Sequence, residues 1–517
     1  MLEEKKGRLL AEYNGVRIFD GFPFREYVVS VPGFSEKELD LAEKLEKILS
    51  RNASPEILQQ NPLIKSPVFF DELKNNVIQA ISASGVSSRL LGQGEIMEIK
   101  QGLVRTLSHA KTQRAEEIAG FVLKQGLGYG VLAVPMGDEN LEEVMVNGSG
   151  RNVFVFHREL GMCRTNIVFE QEGLLVFIQK IARMIGREFN ESEPLLDARL
   201  PDGNRANATY NYVTPNGHTL TIRKFTKAPI SVIGLIEKNT LSSEVAALLW
   251  AMVEGMNAEP KNIIITGGSS SGKTTLMSVL AGFVPLNNRI ISIEDTLEID
   301  LGKRENWVQM ESKLELSHTP AVTMNDLLKN ALRMRPDRII VGEVRGKEAQ
   351  TLFVAMDTGH SGILGTMHSN SARECLVRLK TKPMSVPESM LPLLDLIIVM
   401  QRNYDRRRGT LRRIKHIAEV SRMEEKTLLS NIFEFSQKED RIKKTDVPSH
   451  VLDDLAEKAG MTKNELRREI LVRQRILEWM LENGIRKSAE VEKIIQAYYF
   501  DPRSVLEEVT KGFYPAK

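Results

Sequence analysis

The chain has 517 residues, of which 42% are hydrophobic and 27% are charged, a balance typical of folded, multidomain proteins and not of disordered ones. The formal net charge is only +2, so we expect no direct nucleic-acid partner. The two cysteines, Cys163 and Cys375, exclude a disulfide framework and a four-thiolate metal site, and they indicate a reducing cytosol.

Neither a signal peptide nor a membrane span is predicted. The first residues lack the apolar core of a signal peptide. The apolar run at 390–400 is too short to cross a bilayer and contains Asp395. We therefore expect a cytoplasmic protein that, if it works at a membrane, is peripheral at the cytoplasmic face.

The N-terminal half divides into two zones. The first, 1–110, begins with short β-like runs and then becomes mostly helical, with Ser35 and Glu38 typical of a capping box. The second zone, 111–226, is mixed α/β. It contains helical patterns at 115–125 and 173–185 and short strand-like runs, the first at 131–134. The polar, proline-containing segment 226–229 is predicted to be a linker.

The C-terminal half also divides into two zones. Residues 227–440 alternate helical segments with continuous β-branched runs, which indicates a mostly parallel α/β sheet. Residues 441–517 are predicted to be a helical extension. Thr462 and Glu465 form a second capping-box pattern there, and Asp501–Pro502 predicts a break between two helices.

A phosphate-binding loop is the strongest local signal. The pattern G-x-x-x-x-G-K-[ST] lies between a predicted strand and a predicted helix, as this motif requires. Its glycines let backbone N–H groups point at phosphate oxygens, its lysine reaches the β/γ phosphates, and its threonine hydroxyl can ligate Mg²⁺. A chance match in a Gly/Ser loop is the alternative, and the flanking elements argue against it. The residues predicted to bind nucleotide are Gly267, Gly268, Ser269, Ser270, Ser271, Gly272, Lys273, Thr274 and Thr275.

A second element of the phosphate site is predicted on another strand of the same sheet. The run from Arg338 to Val341 is followed by Gly342 and Glu343. A carboxylate at the tip of such a strand can hold Mg²⁺-bound water, so Glu343 and Thr274 are the predicted metal-site residues. The alternative is that Glu343 simply ends a strand.

Three further motifs complete an ordered set: Ile293-Glu-Asp-Thr-Leu-Glu298, Thr358-Gly-His360 and Gly365-Thr-Met-His-Ser369. Together with the phosphate loop, this set resembles the secretion ATPase superfamily of type II secretion, type IV pilus, conjugation and archaellum machines. The resemblance covers about 115–420, and the sequences of the motifs are most similar to those of archaeal members. It implies a RecA-like P-loop catalytic domain preceded by a mixed α/β domain, with helical extensions at both ends. It also implies ATP and Mg²⁺ as cofactors and a homo-hexameric ring.

The resemblance also implies roles for individual residues. Glu298 matches the catalytic glutamate that activates water, and Glu294 matches an acidic position that supports the metal or the base. His360 and His368 match the family's His box, and we interpret each as a neutral hydrogen-bonding group near the γ-phosphate. The alternatives are histidines satisfied inside the fold or, less favoured by their spacing, a zinc pair. For Glu294 and Glu298, a polar loop after a strand is the alternative.

The resemblance further implies that arginine side chains of the domain before the catalytic one contact the nucleotide. Arg205 and Arg223 match basic positions from which family members reach nucleotide at a subunit or domain boundary, and Arg223 matches best. Arg333 and Arg345, which flank the strand before Glu343, are secondary candidates. Surface arginines that only contact solvent are the alternative.

A basic segment at 402–415 contains seven Lys/Arg and one acid, Asp405. A hairpin tip with a solvated basic face is one interpretation. The other is a contact with an acidic platform protein or with anionic lipid headgroups.

Taken together, the sequence predicts a ring-forming ATPase that powers assembly or rotation of a type IV pilus-like filament, or related protein secretion. Its expected partner is a polytopic membrane platform protein. The alternatives are an ATPase of a conjugation-type DNA-transfer machine and a nucleotide-gated scaffold with negligible hydrolysis.

Overall fold

A computed structural model describes residues 7–30, 129–224, 230–313, 320–405, 408–423 and 426–511. The chain forms two compact units, Met1–Thr226 and Lys227–Lys517. The helical part predicted within 1–110, the helix at 115–125 and the linker at 226–229 lie outside the described residues.

Unit 1 is built on a nine-stranded sheet in the order β1-β2-β3-β6-β5-β4-β9-β8-β7. Its strands are β1 (Leu9–Tyr13), β2 (Val16–Phe19), β3 (Arg25–Val29), β4 (Leu141–Val146), β5 (Asn152–His157), β6 (Gly161–Val168), β7 (Leu195–Arg199), β8 (Arg205–Thr209) and β9 (Thr219–Arg223). Its helices are a 3₁₀ turn (Gly130–Leu132), α1 (Ala133–Gly137) and α2 (Gln171–Met184).

One face of this sheet is apolar because the strands alternate buried and exposed residues. Ile178 and Ile181 of α2 join the same buried cluster as Leu220 and Ile222 of β9. The β-like runs near the N-terminus form β2 and β3, and β3 pairs with β6 in parallel.

The strand predicted at 131–134 is wrong, because this segment is helical. Pro135 follows it and lies within the first turn of α1. Proline is tolerated there because the first-turn N–H groups have no partner within the helix, whereas it would interrupt a strand ladder.

Unit 2 contains a second nine-stranded sheet, ordered β12-β11-β13-β14-β10-β15-β16-β17-β18. Its strands are β10 (Ile263–Gly267), β11 (Ile290–Glu294), β12 (Trp307–Glu311), β13 (Arg338–Val341), β14 (Leu364–Met367), β15 (Leu396–Asp405), β16 (Gly409–Met423), β17 (Lys426–Ser436) and β18 (Arg441–Lys444).

The helices of unit 2 surround this sheet. They are α3 (Val232–Glu237), α4 (Ser243–Glu254), α5 (Lys273–Ala281), α6 (Met324–Ala331), α7 (Glu348–Asp357), α8 (Ala372–Lys380), a 3₁₀ segment (Glu388–Leu393), α9 (His450–Lys458), α10 (Lys463–Glu482), α11 (Ser488–Phe500) and α12 (Pro502–Lys511).

Six neighbouring strands pair in parallel, in the order β12-β11-β13-β14-β10-β15. The strands β16, β17 and β18 continue the sheet in antiparallel orientation. All residues of β10, β11, β13 and β14 are buried, as expected for parallel strands covered on both faces. The predicted fold class is therefore confirmed: a mixed α/β unit precedes a RecA-like P-loop unit.

The C-terminal helices share the core of unit 2. Side chains of α9 to α12 belong to the same buried cluster as α4. Trp250 of α4 stacks on Phe283 with ring centroids 5.6 Å apart, and its Nε1 donates to the Tyr499 hydroxyl at 2.6 Å. The capping box at Thr462 and Glu465 is present, and α11 and α12 meet at Asp501–Pro502. Among the described residues, no helix has both the length and the apolar character needed to cross a membrane.

Candidate active site

The phosphate loop connects the buried strand β10 to the N-terminus of α5. Gly267 has φ +155° and Gly272 has φ +95°, both in regions that side chains disfavour. A Cβ at Gly267 would lie 2.5 Å from the Met400 carbonyl oxygen of β15. The sequence places glycine where the loop turns tightly against a neighbouring strand, and the helix N-terminus adds a positive electrostatic end.

Lys273, the first residue of α5, holds its ammonium group over this loop. Its Nζ donates to the carbonyl oxygens of Gly267 at 3.1 Å and Gly268 at 3.0 Å. The residue is only 8% exposed, so its charge is kept at the concave side of the loop. This is the location from which a lysine reaches nucleotide phosphates.

Strand β14 runs beside β10, and its C-terminal end is joined to the phosphate loop. The Thr266 hydroxyl lies 3.0 Å from the Met367 carbonyl oxygen and 2.6 Å from the Ser369 hydroxyl. These contacts bring the segment that contains His368 to the edge of the sheet where the phosphate loop lies.

Glu343 and His368 meet at this edge. Glu343 follows β13, and its Oε1 lies 3.6 Å from Nε2 of His368. Partial burial, followed by the positive charge of Lys273, lowers the pKa of the His368 imidazole, and the carboxylate of Glu343 opposes this shift. This shift favours the neutral imidazole near pH 7.

Glu294 shapes the loop that contains Glu298. It ends β11, is 2% exposed, and its Oε2 accepts the backbone N–H groups of Glu298 at 2.7 Å and Ile299 at 2.9 Å. Of the two supporting roles open to Glu294, the geometry favours positioning the base. Glu298 itself is partly exposed.

Of the two secondary arginine candidates, Arg345 lies in the same region and Arg333 does not. Arg345, a secondary candidate, forms an ion pair with Asp295, the residue after Glu294. Asp295 also accepts a hydrogen bond from the Ser312 hydroxyl at 3.0 Å. Arg345 is thus linked to the acidic loop that contains Glu298. Arg333 lies in the connection that leads into the N-terminal end of β13, away from the phosphate-loop edge.

His360 does not join the site, and its predicted role requires correction. It follows α7, and its backbone N–H donates to the Ala355 carbonyl at 3.0 Å. Nearby Gly362 abuts Pro260 and Arg338, which precede or begin the strands β10 and β13. Because the phosphate loop follows the carboxyl end of β10, His360 lies at the opposite edge of the sheet. We assign it no catalytic role within its subunit.

Arg205 and Arg223 lie side by side in unit 1. They are directly opposite each other on β8 and β9, so both belong to the face away from the apolar core. Arg205 forms a bidentate pair with Asp197, at 3.0 and 2.8 Å, and Arg223 is exposed. Arg199 lies opposite Arg205 on β7 and extends the row, which sequence reasoning missed.

The basic segment contains the end of β15 and the beginning of β16, and its residues differ in environment. Arg413 is buried, with its Nε 3.0 Å from Oδ1 of Asp440, and Arg408 donates to the same carboxylate at 2.7 Å. Arg412 donates to the Ser270 carbonyl of the phosphate loop at 3.0 Å. Arg412 is a site residue that sequence reasoning missed, since no local pattern links the two positions. Arg406 and Arg407 lie outside the described residues.

The residues of this site can be compared with the ligands that nucleotide phosphates and Mg²⁺ require. Lys273, Gly267 and Gly272 form the cradle that nucleotide phosphates require, and Thr274 and Glu343 offer the hydroxyl and carboxylate oxygens that Mg²⁺ prefers. Within the described ranges, no group of three or more His, Cys, Asp or Glu side chains is arranged to hold a metal ion.

The fold and the site define a P-loop protein whose nucleotide site lies at the carboxyl edge of a parallel sheet. A sequence model of the type II/IV secretion system protein family matches residues 131–491, well over half of the chain. The chain belongs to this family, which confirms the resemblance inferred from its motifs.

The relatives of known sequence include archaeal and bacterial proteins. MJ0900 of Methanocaldococcus jannaschii, an uncharacterized protein, is 33% identical over 90% of this chain and 84% of its own length. MJ0781 of the same organism is 53% identical over 46% of this chain, and the match spans 33% of that relative. The conjugal transfer protein TrbB of Rhizobium radiobacter is 30% identical over 56% of this chain and 86% of its own length.

Among solved structures, the ATPase DotB of Legionella pneumophila aligns with a TM-score of 0.40 and 18% identity, covering 70% of this chain and 93% of DotB. The pilus retraction motor PilT with bound ADP aligns with a TM-score of 0.39 and 16% identity, covering 74% of this chain and 95% of PilT. Likenesses this distant do not bear on function.

Proposed function

We propose that this protein is a ring-forming ATPase that couples ATP hydrolysis to assembly or rotation of a type IV pilus-like filament, an archaellum or a pilus, or to related protein secretion. The observation that carries the proposal is the convergence of four separate segments, which follow β10, β11, β13 and β14, at one sheet edge. The phosphate loop, the Glu343–His368 pair and the loop that contains Glu298 all follow the carboxyl ends of parallel strands.

In the proposed mechanism, the loop N–H groups and Lys273 bind the phosphates, and Glu298 orients and deprotonates the attacking water. Glu294 fixes the backbone from which Glu298 projects. Thr274 and Glu343 would hold Mg²⁺, which when bound neutralises charge on the phosphates. Neutral His368, beside Lys273 and Glu343, would contact the region of the γ-phosphate.

The proposal keeps the wider expectations of the family resemblance. Arg223 and Arg205 would approach nucleotide at a subunit or domain boundary, and the ring would be a homo-hexamer at the cytoplasmic face of the membrane. Its partner would be a polytopic platform protein. Contact between the hairpin's basic residues and anionic lipid is a further part of the proposal, with Arg408 the described residue nearest the tip.

Nucleotide turnover tests the proposal directly. Lys273→Ala should lose most ATP affinity because it removes a cation from the bound phosphates. Glu298→Gln should bind ATP normally but hydrolyse it at least about a hundredfold more slowly, because the amide cannot accept the proton of the attacking water. Binding of a non-hydrolysable analogue and single-turnover hydrolysis measure the two steps separately.

Glu305→Gln provides a matched control, since Glu305 is an exposed glutamate in the same connection, and it should behave as wild type. Hydrolysis by Glu298→Gln at the wild-type rate would contradict the base assignment. Tight ATP binding without hydrolysis by the wild-type protein, with or without lipid vesicles, would support the scaffold alternative.

Similarity to conjugal transfer proteins favours a second candidate, an ATPase that serves a DNA-transfer machine. The near-neutral charge of +2 still argues against direct DNA handling. If the protein acts on DNA itself, its ATPase rate should rise with added single- or double-stranded DNA. If it only powers the machine, the rate should be unaffected.

A further inference from the structure

The β15–β16 hairpin extends past the edge of the sheet on the side of the phosphate loop. Strand β15 pairs with β10 up to Met400, which lies opposite Gly267. The strands of the hairpin continue beyond this point, with Arg402 of β15 directly opposite Arg412 of β16. Arg412 therefore belongs to a two-stranded arm that adjoins the phosphate loop.

Arg412 contacts the loop in two ways. Its Nε donates to the Ser270 carbonyl oxygen at 3.0 Å. Its aliphatic stem covers Gly272, because a Cβ on that glycine would lie 3.3 Å from Cδ of Arg412. One side chain thus contacts both the middle of the loop and the residue that precedes α5.

The hydrogen bond acts on a backbone conformation that needs support. Ser270 has φ +56°, a left-handed conformation that is unfavourable for a non-glycine residue. In a planar trans peptide the C=O and the next N–H point in opposite directions. By holding the Ser270 carbonyl outward, Arg412 keeps the Ser271 N–H on the inner side of the loop.

The backbone N–H of Ser271 can donate to a stronger acceptor than the one it has. In the structure it donates to the Gly268 carbonyl at 3.4 Å, which is long for a hydrogen bond. Gly268 O also accepts from Lys273 Nζ, so this N–H faces the region of the ammonium group. A phosphate oxygen bound there could replace the weak internal acceptor.

The strand that contains Arg412 is also held in place by hydrogen bonds of the adjacent Arg413. Adjacent Arg413 donates to both oxygens of Asp440, at 3.0 and 3.1 Å, and its Nη1 donates to the Lys238 carbonyl at 2.9 Å. Hydrogen bonds from Arg413 and Arg408 lower the pKa of Asp440 to about 2, so this anchor stays ionised near neutral pH.

We propose that Arg412 is a positioning residue for nucleotide binding, which holds the phosphate loop in the conformation that receives phosphates. The inference rests on the proposed function, since it assigns Arg412 to the same nucleotide site. Arg412 acts through the backbone of Ser270 and Gly272.

Equilibrium titration with a fluorescent, non-hydrolysable ATP analogue tests this. Arg412→Ala should raise the dissociation constant about tenfold, because the loop would then adopt the phosphate-receiving conformation only about a tenth of the time and only that fraction binds. Arg412→Lys, which retains charge but not the planar donor group, should give a smaller increase. Arg402→Ala removes the same charge from the facing, exposed position and should match wild type.

The nucleotide-free melting temperature of Arg412→Ala should equal that of wild type, while the stabilisation by saturating nucleotide should shrink. Equal affinities for wild type and Arg412→Ala, or equal losses in the two alanine variants, would overturn the inference alone. If Arg412→Ala does not fold, Arg412→Lys decides: affinity equal to that of Arg402→Ala overturns the inference, and weaker affinity supports it. A wild-type protein that binds no analogue would overturn the proposed function, and this inference with it.

Discussion

Gly342 is the residue before the predicted metal-site carboxylate, and the structure explains why a residue without a side chain is needed there. A Cβ there would lie 2.9 Å from Cγ of Glu294 and 3.3 Å from its Cβ. Glu294 in turn holds the backbone at Glu298 through two hydrogen bonds. The absence of a side chain at Gly342 therefore allows Glu294 to reach the loop of the proposed base.

Gly342→Ala should displace Glu294 and lower kcat by about tenfold or more, because a misplaced catalytic group costs that much. Nucleotide affinity should change little, because the phosphate loop is untouched. Gly365→Ala is a matched control on the neighbouring strand, where a Cβ would make only ordinary contacts, at 3.5 Å with Val344 Cγ2 and 3.8 Å with the Val341 carbonyl oxygen. Steady-state kinetics and analogue titrations of both variants check this, and unchanged kcat in Gly342→Ala would contradict the positioning role of Glu294.

The pH dependence of hydrolysis should reflect His368. Burial and Lys273 lower the pKa of its imidazole below the ordinary value of 6.5, so the neutral form prevails at pH 6.5 and above. We expect the hydrolysis rate to fall on the acid side as the imidazole gains a proton, with the midpoint of this limb below pH 6.5. His368→Gln should lack this acid limb. An acid limb with its midpoint above pH 6.5 in the wild type would contradict the lowered pKa.

The residues that the sequence could predict are those whose chemistry is local. The phosphate loop, Glu343 and Glu298 were all predicted from short motifs at the ends of strands. The contact of Arg412 with Ser270 spans 142 positions, and the contact of Gly342 with Glu294 joins two strands. Such pairs depend on how strands align, which no local pattern encodes. His360 illustrates the opposite error, since a motif residue proved to lie at the far edge of the sheet.

At the scale of elements, an aromatic cluster joins α4 to α11. The Tyr499 hydroxyl accepts a hydrogen bond from Trp250 Nε1 and donates to the Phe283 carbonyl, both at 2.6 Å. Burial raises the pKa of Tyr499 far above the physiological range, so this hydroxyl stays protonated and remains a donor. The C-terminal helices are thus hydrogen-bonded to the core of unit 2 as well as packed against it.

Tyr499→Phe should lower the free energy of unfolding by about 1–3 kcal/mol, because it leaves a buried indole N–H and a buried carbonyl without their partner. Tyr404→Phe removes a hydroxyl from a residue that is 64% exposed and should have almost no effect. Denaturant unfolding of the two variants measures the difference. Equal stability would show that the hydrogen bonds of the Tyr499 hydroxyl do not help to hold these helices.

The elements themselves were largely predictable from sequence. Continuous β-branched runs predicted the buried parallel strands, and the pattern at Thr462 and Glu465 predicted the start of α10. The segment at 131–134 was missed because a short apolar run has the same composition in a helix and in a strand. The packing of α9 to α12 onto α4 was not predicted either, since helical periodicity indicates an apolar face but not what covers it.

At the scale of the whole molecule, the chain combines two units, each built on its own nine-stranded sheet. The family match at 131–491 begins in unit 1 and ends in unit 2. A nucleotide site does mechanical work only if its state changes the contacts of a neighbour. Ring assembly is the arrangement by which identical head-to-tail contacts close, and it is the part of the proposal that depends on more than one chain.

The rate of ATP hydrolysis per subunit, measured across a wide range of protein concentrations alongside the molecular mass in solution, tests the central claim most directly. If the protein is a ring-forming ATPase, the rate per subunit should rise with concentration and reach a plateau as hexamers form, and a non-hydrolysable ATP analogue should favour assembly. A protein that remains monomeric and hydrolyses ATP at the same full rate at every dilution would contradict the ring. Only the nucleotide chemistry of the phosphate loop would then remain.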